Sequence, residues 1–337
     1  MRLFRLLIVG ILCVLVFACA KEPDTLSSMK INKFYDLYSS VIDFDVSGDF
    51  AFVAEKNTGF SILNTKTSEL LLKVDYDEVG VADIRNVAVI RYYPPLQILI
   101  VSDRSATALG QRTFWFKYDE QNNILTQIRM IIGESNNIRT IYFEDYPENS
   151  NAFTYFWGFF SGGNKIRKAV FDVNLNDHIL SESIFVPNAI NDIITTTSHV
   201  IAAMGQRGLY ILDKELSDVS EFPTAAEAVD LAIKDNIIFV ADRSAGLQII
   251  DISEVNNPEI LAHIHLVGNS ISIDVQGDKL AVGTASDGVY LYDISNLTNP
   301  RLIDKIRHDI VGDIYKVKFH NNELYVANYF GLVRINY

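Results

Sequence analysis

Three aspartates at matching places of a repeated pattern are the residues of this chain whose type and spacing could do chemistry. Asp43, Asp192 and Asp230 each lie in a short alternating apolar run, and Asn86 lies close to the matching place in another run. Converging carboxylates raise one another's pKa or bind a cation through oxygen ligands. Alternatively, each aspartate accepts hydrogen bonds from backbone donors beside a turn. We favour the backbone role, because Ser272 and Lys316 occupy the same place in two further runs and break any symmetric ring of carboxylates.

Two arginines share a second position, one residue earlier in the pattern. Arg85 and Arg139 open two of the less regular runs. A pair of guanidinium groups presents planar forks of donors that can clamp a carboxylate. The chain carries a formal net charge of −13, so acidic neighbours are plentiful. We therefore favour pairing within the protein over a ligand clamp.

Two long turns are the best candidates for contact with a partner. The first holds Tyr92 and Tyr93 ahead of two prolines, and the second holds Tyr146 between acidic residues. Irregular loops on a rigid scaffold commonly carry function. We predict that these three tyrosines belong to interaction loops, while most other aromatic side chains enter the core.

Catalytic signatures are missing from the sequence. It contains no Gly-x-Ser-x-Gly elbow, no His-Glu-x-x-His helix and no glycine-rich phosphate loop. The six histidines share no register with the repeated pattern. We therefore assign no catalytic residue, metal or cofactor, and the sequence favours a protein that is not an enzyme.

The elements that must position these residues follow a glycine-marked repeat. Gly208, Gly246, Gly288 and Gly331 open apolar runs at spacings of 38, 42 and 43 residues. Such a period is typical of solenoids and propellers. Each unit has two alternating runs around a tight polar turn, which indicates a β-hairpin, then the glycine-led run and a fourth run. Four antiparallel strands per unit are typical of a propeller blade.

Counting the units gives the architecture. Gly59 marks a first unit, and two drifted units start with hairpins at residues 85–101 and 139–157. The last unit has only three strands, and residues 30–37 form a strand without a unit of its own. We predict an all-β, seven-bladed β-propeller of four-stranded antiparallel blades, closed by the N-terminal strand joining the C-terminal blade, since closure removes exposed strand edges.

The repeat resembles a known family. The segment 241–253 and the following Asn257-Pro258 are similar to the LVIVD repeat of bacterial and archaeal cell-surface proteins. The resemblance covers residues 200–337 and 41–65, whereas only hairpin patterning survives over 80–190. It implies a β-propeller, and because the family has no agreed enzymatic activity, no catalytic residue is carried over.

The first residues indicate an exported lipoprotein. Arg2 and Arg5 precede an apolar stretch too short to span a membrane, which is typical of a secretory signal. Val16-Phe17-Ala18-Cys19 resembles a bacterial lipobox, which implies cleavage before Cys19 and its lipidation. We expect a signal peptide over residues 1–18, a lipidated tether over 19–29 and one propeller domain over 30–337.

These observations define the expected function. The acidic chain would repel phosphate backbones, so we predict no nucleic-acid partner. Attachment to the membrane would come from the lipid on Cys19. We predict a monomeric outer-membrane lipoprotein of the cell envelope, facing the periplasm or the surface, that acts as a non-catalytic scaffold for a protein or ligand. One alternative is a propeller hydrolase or cation-binding protein, with its site at the mouth of the central channel that the first strands of the blades would line. The other is a surface adhesin.

Overall fold

Short alternating apolar runs separated by polar turns fold into strands throughout the chain. The computed structural model describes residues 29–37, 39–75, 84–104, 112–132, 138–145, 152–159, 164–172 and 177–337. Cys19 and Tyr146, two residues of the predicted sites, lie outside these ranges. Within them, no helix is both long and apolar enough to cross a membrane.

The strands form seven four-stranded antiparallel sheets. Sheet 1 comprises β2 (Val41–Ser47), β3 (Phe50–Glu55), β4 (Gly59–Asn64) and β5 (Leu70–Val74), and sheet 2 comprises β6 (Val87–Tyr93), β7 (Ile98–Asp103), β8 (Arg112–Asp119) and β9 (Ile124–Ile132). Sheet 3 comprises β10 (Ile138–Asp145), β11 (Ala152–Phe159), β12 (Lys165–Asp172) and β13 (Asp177–Phe185), and sheet 4 comprises β14 (Asp192–Thr195), β15 (His199–Ala203), β16 (Leu209–Asp213) and β17 (Asp218–Phe222).

The remaining sheets include one that joins the two ends of the described chain. Sheet 5 comprises β18 (Asp230–Lys234), β19 (Ile237–Ala241), β20 (Leu247–Asp251) and β21 (Glu259–Ile264), and sheet 6 comprises β22 (Ser270–Gln276), β23 (Lys279–Thr284), β24 (Gly288–Asp293) and β25 (Arg301–Ile306). Sheet 7 comprises β26 (Ile314–His320), β27 (Glu323–Asn328), β28 (Gly331–Asn336) and, paired with β28, β1 (Lys30–Asp36). A 3₁₀ helix (Pro94–Leu96) and a short helix α1 (His308–Val311) complete the elements.

The glycine markers owe their identity to a close backbone approach. Gly246 has φ +88° and Gly288 has φ +94°, which is the left-handed region that favours glycine. A Cβ on Gly246 would collide with the carbonyl oxygen of Ile264, and one on Gly288 with that of Ile306. Each marker glycine therefore lets the start of the third strand lie against the backbone at the end of the fourth strand.

The core is divided among seven apolar clusters, each packed between two neighbouring sheets. The cluster between sheets 1 and 2 is rich in aromatic rings, with Phe52 stacked on Tyr92 at 4.2 Å between centroids. Sheet faces that pack large rings against each other are stabilised by the apolar area removed from water and by favourable ring–ring geometry. The sheets are thus held face to face, and the first strand of each sheet contacts the first strands of its neighbours.

These first strands are called the inner strands here, and they are β2, β6, β10, β14, β18, β22 and β26. Each contacts the inner strands of the preceding and following sheets, and β2 contacts both β6 and β26. In five of them the pairing register shifts near the start of the strand, as between Val41 and Asp43 in β2. The position after this shift pairs with a small residue of the second strand, and it is the position that matters for the site.

Candidate functional site

The inner strands enclose one end of a polar cavity, called the inner-strand cavity here. Its volume is about 520 Å³, within the range of small-molecule sites. Side chains from six of the seven sheets line it: Ile42, Asp43, Lys56, Asn86, Ala88, Arg91, Arg104, Asn191, Asp192, Asp230, Ile271, Ser272, Tyr315 and Lys316. Charged and amide side chains outnumber the apolar ones, so the space between the inner strands is not filled by aliphatic side chains.

The structure brings four of the predicted site residues together. Asp43, Asp192, Asp230 and Asn86 all line the inner-strand cavity. Strand pairing places the three aspartates at one equivalent position, opposite the small residues Ala54, Ala203 and Ala241. Asn86 reaches the cavity from outside this register, because Val89 holds the equivalent place opposite Ser102.

The two predicted arginines do not share a position. Arg85 is exposed and precedes β6, which begins at Val87, whereas Arg139 is the second residue of β10. Arg85 is not among the cavity-lining residues, and the side chain of Arg139 lies outside the described part of the chain. The sequence register was wrong in sheet 2 because the glycine and alanine markers that align the other sheets are lost there.

Asp43 is buried between two cations. Its carboxylate oxygens accept hydrogen bonds from Lys316 Nζ at 2.7 Å, Arg91 Nη1 at 2.5 Å and the Ile90 backbone N–H at 2.9 Å. Burial alone would raise the pKa of Asp43, but the charges of Arg91 and Lys316 outweigh it and hold that pKa below its ordinary value. This aspartate therefore stays ionised, and both of its oxygens are occupied.

Asp43 is one member of a series of polar side chains that join neighbouring inner strands. An inner strand has no ladder partner on its central side, so its N–H groups need other acceptors. Across four junctions the donor and acceptor are Ile90 N and Asp43, Leu231 N and Asp192, Ile273 N and Asp230, and Val317 N and Ser272. Thr140 Oγ1 donates to Asp192 at 2.7 Å, and Lys316 of sheet 7 reaches Asp43 of sheet 1.

The same arrangement recurs two residues further along the strands. The Tyr92 N–H donates to Asp45 at 2.9 Å, and the Phe319 N–H donates to Asp274 at 2.6 Å. Lys318 Nζ donates to Asp45 at 2.5 Å. The carboxylates of the inner strands thus satisfy backbone donors of the neighbouring sheet, and Asp45 also accepts from the Val46 N–H of its own strand.

Asp230 differs from Asp43 in its surroundings. It accepts hydrogen bonds from Ser272 Oγ at 2.7 Å and the Ile273 N–H at 2.8 Å. Burial, followed by the negative charge of Asp192, raises the pKa of Asp230 well above its ordinary value, and Lys316 offsets this only in part. Asp230 is therefore the carboxyl group of the cavity that holds its proton to higher pH.

Three cations of the cavity escaped the sequence analysis. Lys56, Arg91 and Arg104 all line it, beside the Lys316 already noted in the pattern. Arg91 lies two residues beyond the position of Asp43, at the place that Asp45 holds in sheet 1, and Arg104 donates to the Ile138 carbonyl at 3.3 Å. A search two positions further along each inner run would have found Arg91, because side chains two apart on a strand point the same way.

The predicted interaction loop at Tyr92 and Tyr93 needs correction. Both residues end strand β6 and are buried, at 4% and 7% exposure. Tyr92 packs in the cluster between sheets 1 and 2 and donates its hydroxyl to Glu120, while the Tyr93 ring lies 5.5 Å from that of Phe143. The two prolines that follow form a 3₁₀ helix, so the turn begins after the tyrosines rather than with them.

No candidate metal centre emerges from the part of the chain that the structure describes. No group of three or more histidine, cysteine or acidic side chains there is arranged to hold an ion. The carboxylates that the sequence suggested as ligands are instead committed to neighbouring cations and backbone donors.

Comparison with known proteins agrees with the strand pattern. The LVIVD repeat is matched at residues 40–73, 225–263 and 267–307, which lie in sheets 1, 5 and 6. Residues 200–224 and 308–337, which resemble the same repeat, fall outside the matched ranges. The chain thus contains LVIVD repeats, and the matched copies include the units marked by Gly59, Gly246 and Gly288 but not those marked by Gly208 and Gly331.

Two solved structures have a similar fold. The WD40 repeats of RRP9 superpose with a TM-score of 0.68 at 13% sequence identity, covering 91% of this chain and 97% of that one. The computationally designed Ika8 protein superposes with a TM-score of 0.63 at 12% identity, covering 90% and 97%. Among curated proteins, none matches this chain. At these identities the likeness concerns the fold, which is a β-propeller.

Proposed function

We propose that this protein is a non-catalytic binding module, built as a closed seven-bladed β-propeller whose inner-strand cavity receives its ligand. Closure is supported by the pairing of β1 with β28 and by the contacts of β2 with both β6 and β26. It is further supported by the bond between Lys316 and Asp43, which joins the last sheet to the first.

One observation carries the proposal: a cavity of about 520 Å³ in which polar groups from six sheets converge. A volume of this size admits a ligand of a few dozen atoms or the side chain of a protein partner. The carboxylates that a hydrolase would use are committed elsewhere, since Asp43 accepts from two cations and Asp192 from Thr140 and a backbone N–H. An acid and base for catalysis would have to be free to exchange protons with a substrate.

A matched pair of substitutions tests this proposal. Ile271→Trp would fill the inner-strand cavity, whereas Ile260→Trp places the same ring on the exposed outer strand β21, where Ile260 is 52% exposed. Affinity enrichment from the membrane of origin should recover the same ligand or partner with the wild type and with Ile260→Trp, but not with Ile271→Trp. Both variants should keep the β-sheet circular dichroism of the wild type.

Two results would overturn the proposal. Equal enrichment by both variants would place the binding surface away from the cavity. Hydrolysis of glycoside or lactone substrates that disappears in Asp192→Asn would instead make the protein an enzyme. These outcomes are distinct, because the first removes only the site and the second removes the non-catalytic assignment.

We also propose that the module is anchored in the bacterial envelope as a monomeric lipoprotein. The support is the charged and apolar pattern of residues 2–18 followed by Cys19. The full-length protein should partition into detergent and carry an acylated N-terminal cysteine by mass spectrometry, and Cys19→Ser should abolish both. Protease treatment of intact cells then separates a surface adhesin, which would be cut, from a protein that faces the periplasm.

A further inference from the structure

The inner-strand cavity is a cationic recess in an acidic protein. Four cationic side chains line it (Lys56, Arg91, Arg104 and Lys316), against three carboxylates (Asp43, Asp192 and Asp230). The whole chain has 42 acidic residues and 29 basic ones. Among the residues that line the cavity, cations therefore slightly outnumber carboxylates, the reverse of the whole chain, and a recess with low-dielectric walls strengthens their field.

Two cations of the cavity, Arg91 and Lys316, keep N–H donors beyond those bonded within the protein, although Asp45 and Asp192 also act on Arg91 through their charge. Arg91 at 2.5 Å and Lys316 at 2.7 Å share the single carboxylate of Asp43. The bonds of Arg91 to Asp43 and to the Ile90 carbonyl both use Nη1, so Nε and Nη2 are left to act as donors. Lys316 has three N–H donors, of which the bond to Asp43 uses one.

The carboxyl groups on the other wall of the cavity, Asp192 and Asp230, offset this positive charge only in part. Asp230 holds its proton to higher pH than an ordinary aspartate, because it is buried and lies near Asp192. Asp192, the other carboxylate of that wall, accepts hydrogen bonds from Thr140 Oγ1 and the Leu231 N–H. The remaining acceptor capacity of this wall suits the hydroxyl groups of a ligand.

We propose that the inner-strand cavity binds the anionic group of a small polyhydroxylated molecule, a carboxylate or a phosphate, between Arg91 and Lys316, with Lys56 and Arg104 adding attraction. The proposal rests on the binding function inferred above and names its ligand class. Guanidinium and ammonium donors on one anion give charge-assisted hydrogen bonds, which are stronger than neutral ones. A metal cation is the opposite choice, and no acidic group of the described residues is arranged to hold one.

Calorimetric titration of the full chain with matched probes tests the charge requirement. D-glucuronate and D-glucose differ by one carboxylate, and D-glucose 6-phosphate and inorganic phosphate separate the two kinds of anion. We expect D-glucuronate or the phosphate ester to bind at least about tenfold more tightly than D-glucose, the ratio of one charge-assisted hydrogen bond. Added salt should lower the affinity for the anions but not the affinity for the neutral sugar.

Variants locate the binding. Lys316→Gln should lower anion affinity by about tenfold or more, and the exposed Lys56→Gln by a few-fold, without loss of folding for the latter. Lys234→Gln is the matched control, because Lys234 forms an equally short pair with Asp278, at 2.7 Å, but does not line the cavity. Its anion affinity should equal that of the wild type.

Several results would overturn the anion proposal. These are equal affinity for D-glucose and D-glucuronate, no binding of any of the anions in the millimolar range, or equal losses in Lys56→Gln and Lys234→Gln. Tighter binding of D-glucose than of either anion would leave the cavity as a binding site while excluding the charge. Release of sugar from a glucuronide would instead refute the non-catalytic function itself.

Discussion

Asp43 and Asp230 hold the same position of the repeat, yet the structure gives them opposite protonation behaviour. Each accepts a backbone N–H from the next sheet, Ile90 for Asp43 and Ile273 for Asp230. Asp43 lies beside Arg91 and Lys316, so its pKa is lowered despite burial, whereas burial and Asp192 raise the pKa of Asp230. The repeat thus sets the hydrogen bond between neighbouring inner strands, and the charged residues of the surrounding sheets set the pKa of the aspartate that accepts it.

The difference divides the inner-strand cavity into two walls. Where sheet 7 meets sheets 1 and 2, Lys316 and Arg91 make the wall cationic. Where sheets 4 and 5 meet, burial and the charge of Asp192 raise the pKa of Asp230. A repeat protein can therefore build an asymmetric site from equivalent positions, because each wall is composed by residues from two or three units.

The largest expected effect comes from removing the charge of Asp43. Asp43→Asn leaves Arg91 and Lys316 without their shared counterion, and breaking a buried ion pair costs about 3–5 kcal/mol. Urea denaturation at pH 7 should show this loss in the free energy of unfolding. Since the pKa of Asp43 is lowered in the folded protein, its stabilising effect is complete above the ordinary value of 3.8 and fades as the pH falls below it.

Asp230→Asn serves as the control at the equivalent position. A loss below about 1 kcal/mol for Asp43→Asn would contradict the ionised, doubly paired state described for it. A loss equal to that of Asp230→Asn would mean that both aspartates act only as acceptors for the next strand.

Lys316→Gln should have an intermediate effect. Asp43 keeps its bond from Arg91, so the loss should be about 1.5–3 kcal/mol, the size of one hydrogen bond to a charged group. The same change should raise the pKa of Asp230 further, because Lys316 lowers it in the wild type. Unfolding in urea measures the first effect, and carboxyl NMR measures the second.

An unchanged pKa of Asp230 in Lys316→Gln would show that the two walls do not sense each other. Lys234→Gln provides the reference for loss of an ion pair that lies away from the cavity. It should leave the pKa of Asp230 as in the wild type.

Ser272→Ala should cost about 1–3 kcal/mol, because it leaves the buried Val317 N–H without its acceptor. It also removes the hydroxyl that donates to Asp230. That donor stabilises the carboxylate form, so its loss should raise the pKa of Asp230. Thermal denaturation at pH 7 checks the stability, and Ser272→Thr should recover most of it; failure of threonine to do so would point to packing instead.

The smallest effect concerns Asp230→Asn, and it has the opposite sign. The folded protein binds this proton more tightly than the unfolded chain does, so the contribution of Asp230 to stability falls as the pH rises through its raised pKa. Asparagine removes that penalty, and we expect a gain of about 0.5–1 kcal/mol at pH 7 that vanishes near pH 4. Denaturation across this pH range measures it, and a loss at pH 7 would contradict the raised pKa.

The strands were predictable because each obeys local rules. Alternation of period two and the glycine markers placed Gly246, Gly288 and the fourth strand at 301–306 where the structure has them. The split sheet also followed from counting strands, since residues 30–36 pair with β28. These features depend on neighbours in the chain, and local sequence carries that information.

The composition of the cavity was predictable only in part. The three aspartates align because they lie opposite small residues, but Arg91 was missed and Arg85 misplaced in sheet 2, where the register shifts between Val87 and Val89 without a marker. Tyr92 looked like a turn residue because prolines follow it. Charge states were out of reach, because Lys316 contacts Asp43 from 273 residues away along the chain.

The most direct test of the account is the pKa of the Asp230 carboxyl, measured by ¹³C NMR titration with and without saturating D-glucuronate. An anion held by Lys316 and Arg91 cancels the positive charge that now lowers this pKa, so the account predicts a further rise. Asp274, whose pKa burial raises although the charge of Lys318 lowers it, is the reference and should move less. A pKa of Asp230 that stays unchanged with D-glucuronate, and falls when Ca²⁺ is added instead, would contradict the account and make the cavity a cation site.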